Sequence, residues 1–373
     1  MNRLLITLVS ITLAAAQGYA ESAQQQIADS ARPNKTVQAV TLSPDKSSSG
    51  VLIDLHTHTI CSDGVMTPEQ LVSRAKKLGM QYFAIADHDT VACVGAGQAV
   101  AKRFGMTFIP AVEISVGDDK MHMLGLNINT TASSISETIE AARDSRNTRL
   151  KKIVEALNKL GLKIDAKTDI ILPKLNSQLA SVGKPPVSQA DADKMSLEEL
   201  QGLMMGQVTR PDMAAALVAK GYAKDNREAF DKYLGDTAAA GVAMDGPKFQ
   251  DVIKAIHAAG GIAVLAHPYT VYKNRSGRPI KYSGKEYASF QELAKDLIDS
   301  GLDGFEVYRP NWQNYKDDAN IIKQVIAGAG ANTLIMTAGS DFHGGGVTSV
   351  QDIFREPVPA PVAQQIISAL HLN

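Results

Sequence analysis

The sequence predicts an α/β fold, either a barrel or a doubly wound sheet, with a helical insertion in its middle. Three observations carry this. Strand-sized apolar runs alternate with helix-sized amphipathic runs towards both ends of the chain. Between them, residues 135 to 233 show helical periodicity and almost no strand signal. Histidine and acidic residues stand at the ends of successive predicted strands, where α/β barrels keep their active sites.

Asn2-Arg3, the apolar run Leu4 to Ala16, and the small residues Gly18 and Ala20 read as a secretory signal peptide over residues 1–20, cut after Ala20. The apolar run is too short to span a bilayer comfortably, and no later run could. The expected location is therefore the periplasm or the medium, without stable membrane insertion. Residues 21–50, rich in Gln, Ser, Ala and Lys, read as a flexible linker. Val51–Leu55 is the first strand. Thr67-Pro68-Glu69-Gln70 opens a helix: Thr67 caps, Pro68 fits the first turn and Gln70 can close a capping box. Leu71, Val72, Ala75 and Leu78 share one face, and Gly79 ends that helix. Strand Tyr82–Ala86, a helix to about Arg103, and strands Phe108–Val112 and Met121–Leu126 follow.

The insertion, residues 135–244, holds helices over Ile139–Leu160, Ser196–Met205, Pro211–Lys220 and Asn226–Leu234, with Pro173–Lys194 expected as a loop. Residues 51–134 and 245–373 make the barrel. Its second part reads as helix Phe249–Ala259, strand Ile262–Ala266, helix Phe290–Ser300, strand Gly304–Tyr308, helix Ala319–Ala329, strand Thr333–Thr337 and helix Pro361–Leu370.

The 373 residues are 45% hydrophobic with a net charge of −1, so no global field draws the chain to nucleic acid or an acidic membrane. The two cysteines, Cys61 and Cys93, follow proposed ligand strands. A disulfide and two free thiols are both open.

Nine side chains then stand out: His56, His58, Asp63, His88, Glu113, His122, His267, Asp341 and His343. His56 and His58 are two apart, so an extended chain points them the same way. His257, mid-helix, and His371, near the terminus, read as surface or core filler. A catalytic ion takes about three protein ligands and leaves a place for water. Nine ligands therefore suit three divalent ions, or two with further groups around them. Imidazole and carboxylate without thiolate suit Zn, Mn or Fe. Such ions outweigh the carboxylates Asp63, Glu113 and Asp341 and favour an anionic substrate.

The stretches His56-Thr57-His58-Thr59-Ile60-Cys61-Ser62-Asp63-Gly64, Asp87-His88-Asp89-Thr90, Glu113-Ile114-Ser115, His122-Met123-Leu124-Gly125, Ala266-His267-Pro268 and Ser340-Asp341-Phe342-His343 resemble the PHP (polymerase and histidinol phosphatase) family. They look most like its subgroup of nucleoside-phosphate phosphatases and 5′-to-3′ exoribonucleases. Thr209-Arg210-Pro211 and Glu228 to Gly235 resemble that subgroup's insertion motifs. The resemblance implies a distorted (β/α)7 barrel of the TIM-like kind. It implies one ion on His56, His58, Glu113 and Asp341. A second would sit on Glu113, His122 and His267, with Glu113 as the bridge, and a third on Asp63, His88 and His343. The chain departs from the subgroup's pattern at Asp212, at Ala239 to Ala243 and at Asn311-Trp312, all in expected substrate-contact regions.

The reaction so implied is hydrolysis of phosphate esters, most of all of nucleotides (mono- or 3′,5′-bisphosphates), by hydroxide that metal binding supplies near neutral pH. No catalytic side chain beyond the ligands is expected. Arg210 is the expected substrate contact, because guanidinium matches phosphate in a bidentate way; Lys184, Arg275, Arg278 and Arg309 are weaker candidates. Tyr269 and Trp312 read as packing residues that could also stack on a base. The basic helix over Arg143 to Lys163 reads as a solvated face that could meet RNA. Two other readings stand beside this one: an amidohydrolase, against which the missing bridging Lys argues, and an exported non-catalytic metal-binding protein. A 5′-to-3′ exoribonuclease acting on short RNA is the alternative within phosphoesterases.

Overall fold

A computed structural model describes residues 50–372 except 118–120, 236, 273–279, 283–284, 311–315, 329–333 and 345–351. The expected signal peptide, residues 21–49 of the linker, and Arg275, Arg278, Asn311 and Trp312 lie outside the described residues.

Seven strands form the main sheet: β1 (Ile53–Asp54), β2 (Tyr82–Ile85), β3 (Thr107–Val116), β4 (Met121–Leu126), β5 (Ile262–Leu265), β8 (Gly304–Tyr308) and β9 (Ile335–Ala338), in that order. Their cores are near-continuous apolar runs because both faces are covered. The chain flanking β1 then meets the chain flanking β9. Leu55 N donates to Ala338 O at 2.9 Å and His58 N to Phe342 O at 2.9 Å. That contact closes the sheet, so the structure is the barrel and not the doubly wound sheet.

All pairings in the barrel are parallel except those of β4, which runs antiparallel to both β3 and β5. A parallel neighbour needs a crossover of about a dozen residues, and only residues 117–120 separate β3 from β4. The reversal brings the start of β4, with His122, to the same mouth as the carboxyl ends of the other strands. β3 is longer than the sequence suggested and runs through Glu113. Its polar Glu113 and Ser115 share the mouth-facing side, while Val112, Ile114 and Val116 face the core.

Outside the barrel, helix α1 (Pro68–Lys77) has the expected capping box: Gln70 N donates to Thr67 Oγ1 at 3.2 Å and Thr67 N to Gln70 Oε1 at 2.9 Å. α1 and α2 (Val94–Arg103) cover β2 with their own apolar cluster. A two-stranded ribbon, β6 (Ile280–Tyr282) and β7 (Lys285–Tyr287), lies outside the main sheet.

Helix α3 (Ser133–Lys159) belongs to two cores. Ile135 and Ile139 pack with the barrel, and Leu150, Ile153 and Leu157 pack with the insertion. The insertion core is completed by a π-helical turn at Ala166–Ile171 and by α4 (Leu172–Ser181), α5 (Gln189–Lys194), α6 (Leu197–Gly202), α7 (Arg210–Ala219) and α8 (Asn226–Ala229). A further π-helical turn, Phe230–Leu234, continues α8. The loop expected over 173–194 is therefore corrected to two helices. Pro173 sits in the first turn of α4, where its missing N–H costs nothing. Ser188 caps α5 by accepting from Asp191 N at 3.1 Å.

α9 (Phe249–Ala258), α10 (Tyr269–Tyr272), α11 (Phe290–Asp299), α12 (Lys316–Gly328) and α13 (Ala360–Ala369) complete the fold. Among the described residues no helix is long and apolar enough to cross a membrane.

The insertion touches the barrel closely at Gly206, where an added Cβ would fall 1.4 Å from the Cys61 carbonyl oxygen. Gly206→Ala is expected to cost about 2 kcal/mol or more through forced separation. Gly202→Ala, in open space at the end of α6, is expected to gain up to about 1 kcal/mol. Urea unfolding of both variants checks the opposite signs.

Candidate metal centre

The backbone around the barrel mouth is organised by buried acids beside the candidate ligands. Asp54 accepts from His56 N (3.2 Å), Ser340 N (3.0 Å) and Phe354 N (2.8 Å), tying the β1 and β9 ends together. Its burial pushes the carboxyl up to about 6 against those hydrogen bonds. Asp87 accepts from Thr59 N at 2.7 Å, Thr59 Oγ1 at 2.6 Å and Ser62 Oγ at 2.6 Å. Asp89 accepts from Ser115 N and Arg146 Nε, each at 2.7 Å. In Asp87-His88-Asp89 the first carboxylate thus holds the loop of Asp63 and the second holds β3 and α3, and the histidine between them is left for the mouth.

All nine candidate ligands gather there, and Glu113, fully buried, is their centre. Its Oε1 lies 2.9 Å from His122 Nδ1 and 2.9 Å from His267 Nε2. Its Oε2 lies 3.2 Å from His56 Nε2, 3.3 Å from His58 Nε2 and 2.9 Å from His88 Nδ1. Asp341 Oδ1 is 3.2 Å from His58 Nε2 and 3.5 Å from His56 Nε2. Asp63 faces His343 Nε2 at 3.2 Å and His88 Nε2 at 3.6 Å.

The donor atoms fall into groups that could each hold an ion: His56, His58, Glu113 and Asp341; His58, Asp63, His88 and His343; and His88, Glu113 and His122. Compared with the division implied by resemblance, His58 also joins the Asp63 group, and His88 stands beside Glu113 and His122 where His267 was expected; His267 joins none of these groups, although its Nε2 lies 2.9 Å from Glu113 Oε1. Four of these atoms (His56 Nε2, Asp63 Oδ1, His88 Nδ1 and Glu113 Oε2) are buried without a hydrogen-bond partner despite their proximity. Lone pairs that converge on a common point without bonding each other are what a cation requires. The residues therefore fit divalent ions.

Burial acts first on every group here. For Asp63 and Glu113 burial alone would raise the carboxyl. The imidazoles outweigh it, His343 and His88 for Asp63 and His88, His56 and His122 for Glu113, and hold both well below the usual range. Burial, with His343 beside it, pushes His58 down to about 3. For His343 burial is overcome by Asp63 and Asp341, which raise it to about 10. His56 is raised in the same way by Glu113, Glu306 and Asp341. Three of the five described non-glycine residues with positive φ, namely Asp89, His267 and Asp341, lie in this cluster, as strained backbone does at functional sites.

Sequence reasoning passed over several residues. Glu306 lies beneath the centre: Oε1 is 3.0 Å from His56 Nδ1, and Oε2 accepts from His267 N at 2.7 Å. It thereby fixes which ring nitrogen of His56 is free for a ligand bond. Lys174, on α4, donates to Ser62 O and to Asp212 Oδ2, each at 2.6 Å. Asp212 also caps α7 by accepting from Thr209 N at 2.7 Å. Arg146 and Arg149, expected on a solvated face, are buried instead. Arg146 meets Asp89 and Ser115, and Arg149 donates to Val242 O.

Arg210, the expected substrate contact, is half-buried, with its guanidinium 5.8 Å from the centre of the Phe230 ring. Lys184 is exposed. Cys61 and Cys93 form a disulfide, which settles the choice left open by the sequence. It removes their thiolates from the set of ligands and joins the loop of Asp63 to the loop that follows His88.

Comparison with known proteins adds to this geometry. The PHP domain model matches residues 54–327. The 5′-3′ exoribonuclease Rnm of Escherichia coli (strain K12) is 30% identical over 297 residues, covering 79% of this chain and 85% of that protein. The 3′,5′-nucleoside bisphosphate phosphatase of Chromobacterium violaceum is 27% identical, covering 79% of this chain and 88% of that protein. A crystal structure described as a putative metal-dependent phosphoesterase from Bifidobacterium adolescentis superposes with a TM-score of 0.63 at 26% identity, covering 86% of this chain and 96% of that one.

Metal entry must displace protons wherever a ligand nitrogen carries one. His343, raised to about 10, and His56, raised as well, are charged in the metal-free protein near neutral pH, whereas His58, at about 3, is already neutral. Loading near pH 7.5 is expected to release protons, and binding is expected to tighten as pH rises towards 10. Calorimetric titration of metal into stripped protein, in buffers of different ionisation enthalpy, counts the protons.

Proposed function

The chain belongs to the PHP domain family, and from that premise we propose that it is a metal-dependent phosphoesterase. Its substrates are phosphate esters of nucleotides, mono- or 3′,5′-bisphosphates, and its site takes three divalent ions. The observation that carries this reading is the division of labour within Glu113, whose two oxygens face separate sets of histidines. A bridging carboxylate of that kind is the mark of a multinuclear site.

Divalent ions, when bound, supply hydroxide near neutral pH and draw charge from phosphoryl oxygens. The chain's own residues do the rest. Glu306 orients His56, Asp87 holds the loop of Asp63, and Asp89 braces β3 beside Glu113. The donor atoms are therefore fixed before substrate arrives. Arg210 brings positive charge from the insertion and suits bidentate contact with phosphate, while Lys174, paired with Asp212, ties the insertion to the loop of Asp63. With both cysteines joined, imidazole and carboxylate are the available donors, which supports Zn, Mn or Fe.

A second reading, 5′-to-3′ exoribonuclease on short RNA, is favoured by the likeness to the Escherichia coli protein of that name.

Asp63→Ala and His267→Ala are each expected to lower turnover of the best substrate about a hundredfold or more, with circular dichroism unchanged. Purified protein supplied with Mn and tested on nucleoside mono- and bisphosphates, oligoribonucleotides and sugar phosphates gives the measurement. Wild-type rates in both variants would remove the site assignment.

Export is part of the proposal, because a disulfide persists in an oxidising compartment. N-terminal sequencing of protein recovered outside the cytoplasm is expected to begin at Glu21.

A further inference from the structure

The disulfide joins two loops that are not equally firm. The loop of His88 is laced to the barrel. Glu113 N donates to Asp87 O at 3.2 Å and Asp89 N to Glu113 O at 2.9 Å, so β3 holds the backbone on either side of His88. Cys93 then stands at the head of α2. Asp63 sits differently, on a turn over residues 60–63 that closes on itself. Ser62 N donates to Thr59 O at 3.0 Å, and Gly64 N to the same oxygen at 2.9 Å. Hydrogen bonds tie this turn to its surroundings: Thr59 and Ser62 to Asp87, Lys174 and Gln178 of the insertion to Ser62 O and Ile60 O, and Val65 N to His343 O. The one covalent tie is the bond from Cys61 to Cys93.

The two kinds of tie differ in what they survive. Hydrogen bonds of a loop open with local fluctuation and give way to water. A disulfide breaks only by chemical attack. Asp63 is two residues from Cys61, and consecutive Cα atoms are about 3.8 Å apart. An anchor at Cys61 therefore limits the reach of the Asp63 carboxylate even when the turn opens. A ligand already confined loses less freedom when an ion binds. Among the groups of histidines and acids that could hold an ion, Asp63 belongs to that of His58, His88 and His343 alone.

We propose that the Cys61–Cys93 disulfide positions Asp63, so that the ion of the group His58, Asp63, His88 and His343 depends on it while the ion at His56, Glu113 and Asp341 does not. Cys93 is the fixed post and Cys61 the tethered end. This rests on the three-ion reading above and deepens it: one member of the set is conditional on the oxidised chain.

The test compares the full mature chain with its Cys61→Ser/Cys93→Ser variant, each loaded with Mn and freed of excess by gel filtration. The variant is expected to retain about one ion per chain fewer, and its weakest ion should be released to a competing chelator about tenfold or more readily, with the tighter ions unchanged. Turnover should fall and recover as free Mn is raised, because every ligand is still present. In the Asp63→Ala background, removal of the disulfide should lower metal content and affinity no further. A bond that merely stabilises the fold would not obey that last condition.

Reduced wild type carries the same test should the double variant fail to fold. A dithiol gives two electrons and two protons to the disulfide, leaves as a cyclic disulfide, and is removed without oxygen before Mn is added. Reoxidation with glutathione disulfide should restore the lost ion. Unchanged ion content and affinity, equal loss of all ions, or a further loss in the Asp63→Ala background overturns the proposal, while turnover by the wild type still supports the phosphoesterase reading. Selective loss of one ion in a wild type that hydrolyses no phosphate ester would keep this proposal and sink the activity beneath it. A wild type that binds no ion would sink both.

Discussion

One buried carboxylate governs the architecture. Glu113 has no exposure to solvent, and five imidazoles approach its two oxygens. An isolated carboxylate cannot be buried at reasonable cost, so its surroundings must supply positive charge as protonated histidine or as bound cation. Much of the barrel mouth follows from that demand. β4 must reverse to bring His122 to the Oε1 side. His267 must adopt a positive φ at the end of β5. Glu306 must stand under both His56 and His267.

Around this centre the molecule is built as one grip within another. Buried acids beside the mouth hold the loops and β3, and these hold the ligands. The insertion then closes over the loops through polar contacts with their backbone. Gln178 Nε2 donates to Ile60 O at 2.8 Å, Gln207 Nε2 to His88 O at 2.7 Å and Lys174 Nζ to Ser62 O at 2.6 Å. Each contact lands within three residues of a candidate ligand. The insertion is thereby coupled mechanically to the ligand loops.

Much of this was legible in the sequence, for definite reasons. Strands covered on both faces read as unbroken apolar runs, and a polar residue at the end of such a run has little structural cause to be there. That made the nine site residues visible. Glu306 was hidden by the same logic, since a single acid inside Gly304–Tyr308 looked like tolerated polarity in a strand. Arg146 was hidden because its neighbours along the helix, Arg143, Lys151 and Lys152, are partly or fully exposed and the run averaged to a wet face. Lys174 was hidden within the stretch expected as a loop, where Pro173 in fact occupies the first turn of a helix. The direction of β4 follows from the short connection before it, which is too short for a parallel crossover.

The disulfide has a kinetic side. Cys61 is 1% exposed and Cys93 3%, and Gly206 of the insertion lies against the Cys61 carbonyl. Exchange requires an attacking thiolate to reach a sulfur atom. While the insertion is seated, the bond is sheltered from dissolved thiols, and its lifetime in a reducing solution becomes a clock for how often the insertion lifts.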